Sequence, residues 1–276
     1  MHMTSMQQLS GPGTTISASR PAEELSRFKA APEQRRPTMD DFWIQQGWYR
    51  KRSDGTIKLR AAKWKDNPHV RREAVRFLAE KVLKKDPRDI THDDFNLNRL
   101  GGLLGNYYES SPYDAFRDAG YVFHPWEMSY TPLNFYDIKA NRIDALNWLV
   151  EKLGKDPRDI TTRNFRSKRL GGLLNMHYRD SPYYALKEAG YKINPWEMLT
   201  TPDGFYNLKE TRISAVRWLV RKLGKEPRDM TSDDFHSNRL GGLLGNHYGD
   251  SPYEAVLEAG LVSRKDEAHM RRHVPK

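Results

Sequence analysis

Residues 239–253 read RLGGLLGNHYGDSPY. Leu240, Leu243, Leu244 and Tyr248 recur at helical spacing, yet Gly241, Gly242 and Gly245 interrupt the run. A glycine inside a helix costs about 1 kcal/mol relative to alanine. Near-copies stand at 99–108 (RLGGLLGNYY) and 169–178 (RLGGLLNMHY), so the motif returns every 70 residues.

The same register extends outward in both directions. KDPRDIT (85–91), KDPRDIT (155–161) and KEPRDMT (225–231) precede the motif, and SPYDAFRDAGY (111–121), SPYYALKEAGY (181–191) and SPYEAVLEAGL (251–261) follow it. Upstream, RIDALNWLVEKLG (142–154) matches RISAVRWLVRKLG (212–224), whereas REAVRFLAEKVLK (72–84) matches only with one inserted residue. HPWEM (124–128) and NPWEM (194–198) follow the first two copies.

Each copy is punctuated as a set of short helices. In the third, Ala215, Val216, Trp218, Leu219 and Leu223 form an apolar stripe that Gly224 ends. Thr231 caps a second helix, with Asp234 in the capping-box position. Leu240, Leu243, Leu244 and Tyr248 line one face of a third. Ser251 caps a fourth with Pro252 at its first position and Glu254 completing the box, and Gly260 closes it. Strand signals are nearly absent. The expected fold is all-α: three tandem, helix-turn-helix-like modules, each small but able to fold alone. A period of 70 exceeds the usual solenoid range, which favours beads on a string over a continuous superhelix.

The modules resemble the short helical repeats found alongside HNH-type homing endonucleases. The resemblance rests on Leu223-Gly224-Lys225-Glu226-Pro227, Thr231, Tyr248-Gly249, and Ser251 through Glu254-Ala255 to Ala259-Gly260, and covers roughly residues 68–262. It departs at Pro252-Tyr253, where such repeats often carry Trp after the Ser, and in the glycine pair. It implies a DNA-binding accessory module and nothing catalytic.

Composition points the same way. Among 276 residues, 46 are basic and 36 acidic, a formal net charge of +10, with 37 % apolar residues. A basic surplus of this size suits a polyanionic partner, most often nucleic acid, or simply a soluble basic protein. The absence of cysteine excludes disulfides and thiolate zinc sites. With no signal-like h-region in the first thirty residues and no membrane-length apolar run, the expectation is a soluble, cytoplasmic protein. The nine histidines are scattered without HExxH or an HNH-like cluster. Asp93-Asp94 and Asp233-Asp234 correspond to Arg163-Asn164 in the second copy, so helix-start acids explain them better than a metal. No P-loop or GxGxxG is present. No acid, base and nucleophile can be named together, and neither catalysis nor a cofactor is expected.

Once the leucines turn inward, the third helix exposes Arg239, Gly241, Gly242, Gly245, Asn246 and His247. A face stripped of side chains admits close approach to the backbone, and an Arg before free helix-start N–H groups suits a phosphate. Alternatively, the glycines let another helix of the same module pack closely. Arg99, Arg169 and Arg239 with their glycine pairs (Gly101 and Gly102, Gly171 and Gly172, Gly241 and Gly242) are constant. Flanking polar positions differ: Asn96, Leu97, Asn98 against Arg166, Ser167, Lys168 and His236, Ser237, Asn238, and Asn106 to Glu109 against Met176 to Arg179 and Asn246 to Gly249. Asn and Arg make bidentate contacts to base edges, and variation beside a constant frame suits modules that read different bases, although surface drift would look alike. Asn106, Arg166, Lys168, His177, Asn246 and His247 are the readers on this view.

Residues 47–65 (GWYRKRSDGTIKLRAAKWK) carry seven basic residues, Arg50, Lys51 and Arg52 among them, against one acid. They read as a basic hairpin that adds phosphate contacts, or as a solvated linker. Trp126 and Trp196 read as base-stacking rings or, in better accord with the neighbouring Pro and Met, as straps packed on their own modules. The expected layout is a disordered tail (1–36), a basic arm (37–67), modules at 68–128, 129–198 and 199–262, and a basic tail (263–276). The expected function is asymmetric double-stranded DNA recognition by a monomer, regulatory or tied to a mobile element. A protein-interaction scaffold and an RNA binder are the alternatives.

Overall fold

The computed structural model describes residues 36–47, 49–53, 57–59, 64 and 67–270, by backbone alone at 49–51, 57–59 and 269. The fold is all-α but for one short pairing. Helix α1 (Met39–Gln45) precedes β1 (Tyr49–Lys51) and β2 (Ile57–Leu59), which pair antiparallel with Arg50 opposite Lys58. The tip residues Asp54 and Gly55, the expected tail before residue 36, and residues 271–276 lie outside the described residues.

Module one comprises α2 (Pro68–Phe77), α3 (His92–Leu97), α4 (Gly101–Tyr107) and α5 (Pro112–Asp118). Module two repeats it as α6 (Lys139–Leu153), α7 (Thr162–Ser167), α8 (Gly171–Tyr178) and α9 (Pro182–Glu188). Module three does so as α10 (Lys209–Leu223), α11 (Ser232–Ser237), α12 (Gly241–Tyr248) and α13 (Pro252–Glu258). The residue that module one inserts is absorbed by a π-helical continuation of α2, Leu78–Leu83; an i→i+5 turn takes up one extra residue without breaking the helix.

The punctuation acts as the residue types require. Gly224 ends α10 in the left-handed region at φ 63, and Thr231 and Asp234 form a reciprocal capping box on α11. At α13, Ser251 Oγ accepts from Glu254 N–H at 3.3 Å. The expected return bond is replaced, because the Ser251 N–H donates to the Tyr248 carbonyl at 3.0 Å.

Each module has its own core. In module two, Ala145, Leu146 and Leu149 pack with Phe165, Leu170, Leu173, Leu174 and Leu186. The first and fourth helices are also pinned by a shielded ion pair. Arg212 Nη2 lies 2.7 Å from Glu258 Oε1, and Tyr248 Oη donates to the same carboxylate. Arg142–Glu188 repeats the pair in module two at 2.7 Å. The guanidiniums hold both glutamates below the usual carboxylate range.

Three features correct the expected layout. The linker tryptophans do not strap their own modules: Trp126 joins the core of module two and Trp196 that of module three, while Met128 and Met198 stay in the cores of modules one and two. Each Pro-Trp-Glu-Met segment thus staples two neighbours. The modules are therefore packed end to end rather than strung loosely, and Ser129 and Leu199 donate back to the Arg88 and Arg158 carbonyls at 2.8 and 2.9 Å. Finally, the stretch expected as an arm begins with a helix whose Met39, Phe42 and Trp43 join the first core, and the described part of the expected C-terminal tail includes α14 (Glu267–Met270), whose Met270 is buried in the third. No described helix is long and apolar enough to cross a membrane.

Candidate nucleic-acid interface

In every module the second and third helices form a helix-turn-helix pair joined by three residues: α3–α4, α7–α8 and α11–α12. The turn is a Schellman closure. Leu240 N–H donates to the Phe235 carbonyl at 2.8 Å and Arg239 N–H to the His236 carbonyl at 3.2 Å, and the apolar partners Phe235 and Leu240 are both fully buried. The left-handed residue of this motif is usually glycine. Here it is Arg99, Arg169 and Arg239, at φ 62, 63 and 65. A non-glycine residue costs roughly 1–2 kcal/mol in that conformation, so these positions keep their arginine for the side chain.

That side chain turns to the preceding unit. Arg169 Nη1 lies 2.8 Å from Asp89 Oδ1 and donates to Ser129 Oγ at 2.9 Å. Arg239 Nη2 lies 2.5 Å from Asp159 Oδ1, and its Nη1 donates to the Glu197 carbonyl at 2.8 Å. Arg99 pairs with Asp40 of α1 at 3.0 Å. The hydrogen bond from Arg169, more than any other effect, keeps Asp89 below the normal carboxylate range. In this structure the constant arginines bridge neighbouring units, each meeting a carboxylate about eighty or sixty residues earlier in the chain.

The glycines follow a different logic. A Cβ on Gly102, Gly172 or Gly242 would have no atom within 4 Å, so internal close packing does not explain them; all three are exposed. A Cβ on Gly171 would meet Arg166 Cγ at 3.1 Å, and on Gly101 or Gly241 the side chains of Asn96 or His236. The first glycine thus makes room for the variable side chain five residues earlier. The second leaves bare backbone beside it.

The expected readers divide. Asn106 and Asn246 are exposed on α4 and α12, and Arg166 is exposed on α7. Lys168 ends α7 half-exposed. His177 and His247 stand beside the Tyr136 and Tyr206 rings of their own modules, with ring centroids 6.4 and 6.3 Å apart. Arg52 is exposed, while the side chains of Arg50 and Lys51 lie outside the described residues. Among the described residues, no three His, Asp or Glu are grouped to hold a metal ion.

Charge is unevenly spread over this common frame. Modules one and three carry 9 basic against 10 acidic and 8 against 9 residues, and module two 12 against 8. The contrast sits at equivalent positions of the helix-turn-helix pair. Asp93, Asn96, Asn98 and Glu109 of module one correspond to Arg163, Arg166, Lys168 and Arg179 of module two and to Asp233, His236, Asn238 and Gly249 of module three. These substitutions fall at equivalent positions of the three copies, on the second helix of each module, its C-cap and a position just after the third helix.

The described residues form three all-α units in tandem, each with a helix-turn-helix pair. No family model, curated protein or solved structure matches the chain.

Proposed function

We propose that the chain is a non-catalytic, monomeric double-stranded DNA-binding protein that reads an asymmetric site with its three helix-turn-helix units. The observation that carries this is the thrice-repeated second helix, bare at Gly102, Gly172 and Gly242 and flanked by exposed polar residues that differ between copies. A helix of this kind enters the major groove, where side chains near its start meet base edges. The resemblance to HNH-associated repeats and the net charge of +10 support the same conclusion. Three unlike units locked in one direction need no dimer, so the site is an unsymmetrical series of sub-sites in the cytoplasm or on a nucleoid, within a regulatory or mobile-element role.

Selection of bound sequences from random duplexes, with single-stranded DNA and RNA as competitors, tests this. An asymmetric motif is expected. A palindromic motif, or binding that RNA displaces better than duplex, refutes it. A protein-scaffold role is favoured by the acidic faces of modules one and three and by exposed Leu97, and it predicts no steeply salt-dependent duplex binding.

A further inference from the structure

The five positions at the helix-turn-helix face are chemically opposed between modules. Module one presents Asp93, Asn96, Asn98, Glu109 and Ser110; module three presents Asp233, His236, Asn238, Gly249 and Asp250. Each set carries two acids and no Lys or Arg. Module two presents Arg163, Arg166, Lys168, Arg179 and Asp180, four cations against one acid.

The structure brings Arg166 and Asp180 of the module-two set together. Thr162 Oγ1 donates to the Asp180 carbonyl at 3.3 Å, which brings the start of α7 to the end of α8. Arg166 Nη2 is 3.9 Å from Asp180 Oδ1 and its side chain is 69 % exposed, a long and solvated pair that leaves the guanidinium available. Asp180 is also held by Asn175 Nδ2 at 2.7 Å. Arg163, Lys168 and Arg179 have no acidic partner within 4.0 Å among the described residues. Arg166 owes its position to Gly171, since a Cβ there would press on its Cγ. Arg179 occupies the left-handed region at φ 53, as Glu109 of module one does at φ 49 and Gly249 of module three at φ 55.

We infer that the three modules are not equivalent on their partner: the face formed by Arg163, Arg166, Lys168 and Arg179 of module two is the phosphate-binding anchor of the array. The flanking modules engage the same duplex through uncharged groups, and the packed junctions carry them into register. Backbone contacts fix position without carrying sequence information, so one central anchor with polar units on either side divides the two tasks between modules. This inference rests on the duplex-binding function proposed above.

Full-length protein with the four residues replaced by those of module one (Arg163→Asp, Arg166→Asn, Lys168→Asn, Arg179→Glu) tests it by titration of a selected duplex across salt concentrations. Each lost phosphate contact lowers the slope of log affinity against log salt by about 0.9, so the slope is expected to fall by three to four. Between about 50 and 200 mM salt, those contacts account for roughly a hundredfold of the wild-type loss in affinity. The reciprocal graft (Asp93→Arg, Asn96→Arg, Asn98→Lys, Glu109→Arg) leaves module two untouched and should steepen the slope. It keeps the inference testable if the first variant unfolds. A folded first variant with the wild-type slope, or a reciprocal graft with no steepening, overturns the anchor while duplex binding stands. A wild-type protein that shows no salt-dependent duplex binding overturns the proposed function and the anchor together.

Discussion

Substituting the two ends of one linker separately should destabilise different modules. Trp196 and Met198 are two residues apart, 9 % and 1 % exposed, yet they belong to different cores. Trp196 lies 6.1 Å from Trp218 and 6.3 Å from Phe205 between ring centroids. Trp196→Ala removes a buried indole, a change that costs about 3–5 kcal/mol, a large share of the stability of a module this small. Met198→Ala costs about 2–5 kcal/mol by the same cavity argument. Hydrogen exchange on the full chain separates them, because the amides of α10–α13 and of α6–α9 report on each module in place. Trp196→Ala should lower protection chiefly in module three, by roughly two to three and a half decades, at 1.4 kcal/mol per decade for an opening governed by module stability. Met198→Ala should act chiefly on module two. If both weaken the same module, or Trp196→Ala costs under about 1 kcal/mol, the linker does not staple neighbours as described.

Other outcomes follow from single contacts. Gly102→Ala, Gly172→Ala and Gly242→Ala meet empty space, so thermal denaturation should show unchanged or slightly raised stability, by up to about 1 kcal/mol each. A fall in duplex affinity in those folded variants would locate a close approach to the bare backbone, whereas unchanged affinity would remove it. Arg239→Gly relieves roughly 1–2 kcal/mol of left-handed strain and loses an exposed clamp worth about 0–1 kcal/mol. Stability should therefore be unchanged or slightly raised, with faster exchange at the junction of modules two and three; a loss above about 2 kcal/mol would mean the clamp is undervalued here. Glu188 and Glu258 have folded pKa values depressed from an ordinary 4.5, with the bound arginines foremost among the causes. Their stabilisation is present above that value and disappears as pH falls through the folded values below it. Denaturant midpoints should drop below about pH 4.5, and Glu258→Gln should flatten part of that fall in module three; an identical acid profile would exclude the pair as its source.

Much of the fold was legible because its signals are local. Thr231 with Asp234, Ser251 before Pro252, and Gly224 at the end of α10 act within a few residues, and the spacing of Leu240, Leu243 and Leu244 selects the buried face of α12. The repeat likewise needs only self-comparison. The π-helical turn at Leu78–Leu83 was foreshadowed by the inserted residue of module one, although the sequence does not say whether a loop or a helix absorbs it.

Tertiary structure alone decided where the long side chains go. Arg239 meets Asp159 at a separation of 80 residues, and no spacing rule links two residues on successive modules. From sequence, an arginine before two glycines suits a phosphate as well as a carboxylate; the packed junction places the carboxylate there. Trp196 read as a strap on its own module because a buried anchor also explains the neighbouring Pro and Met, and only the course of the chain after Pro195 puts the ring on one side and Met198 on the other. The glycine pair was ambiguous for the same reason: a missing side chain implies a neighbour without naming it. For the first glycine the neighbour is the side chain five residues before, and for the second it is open space.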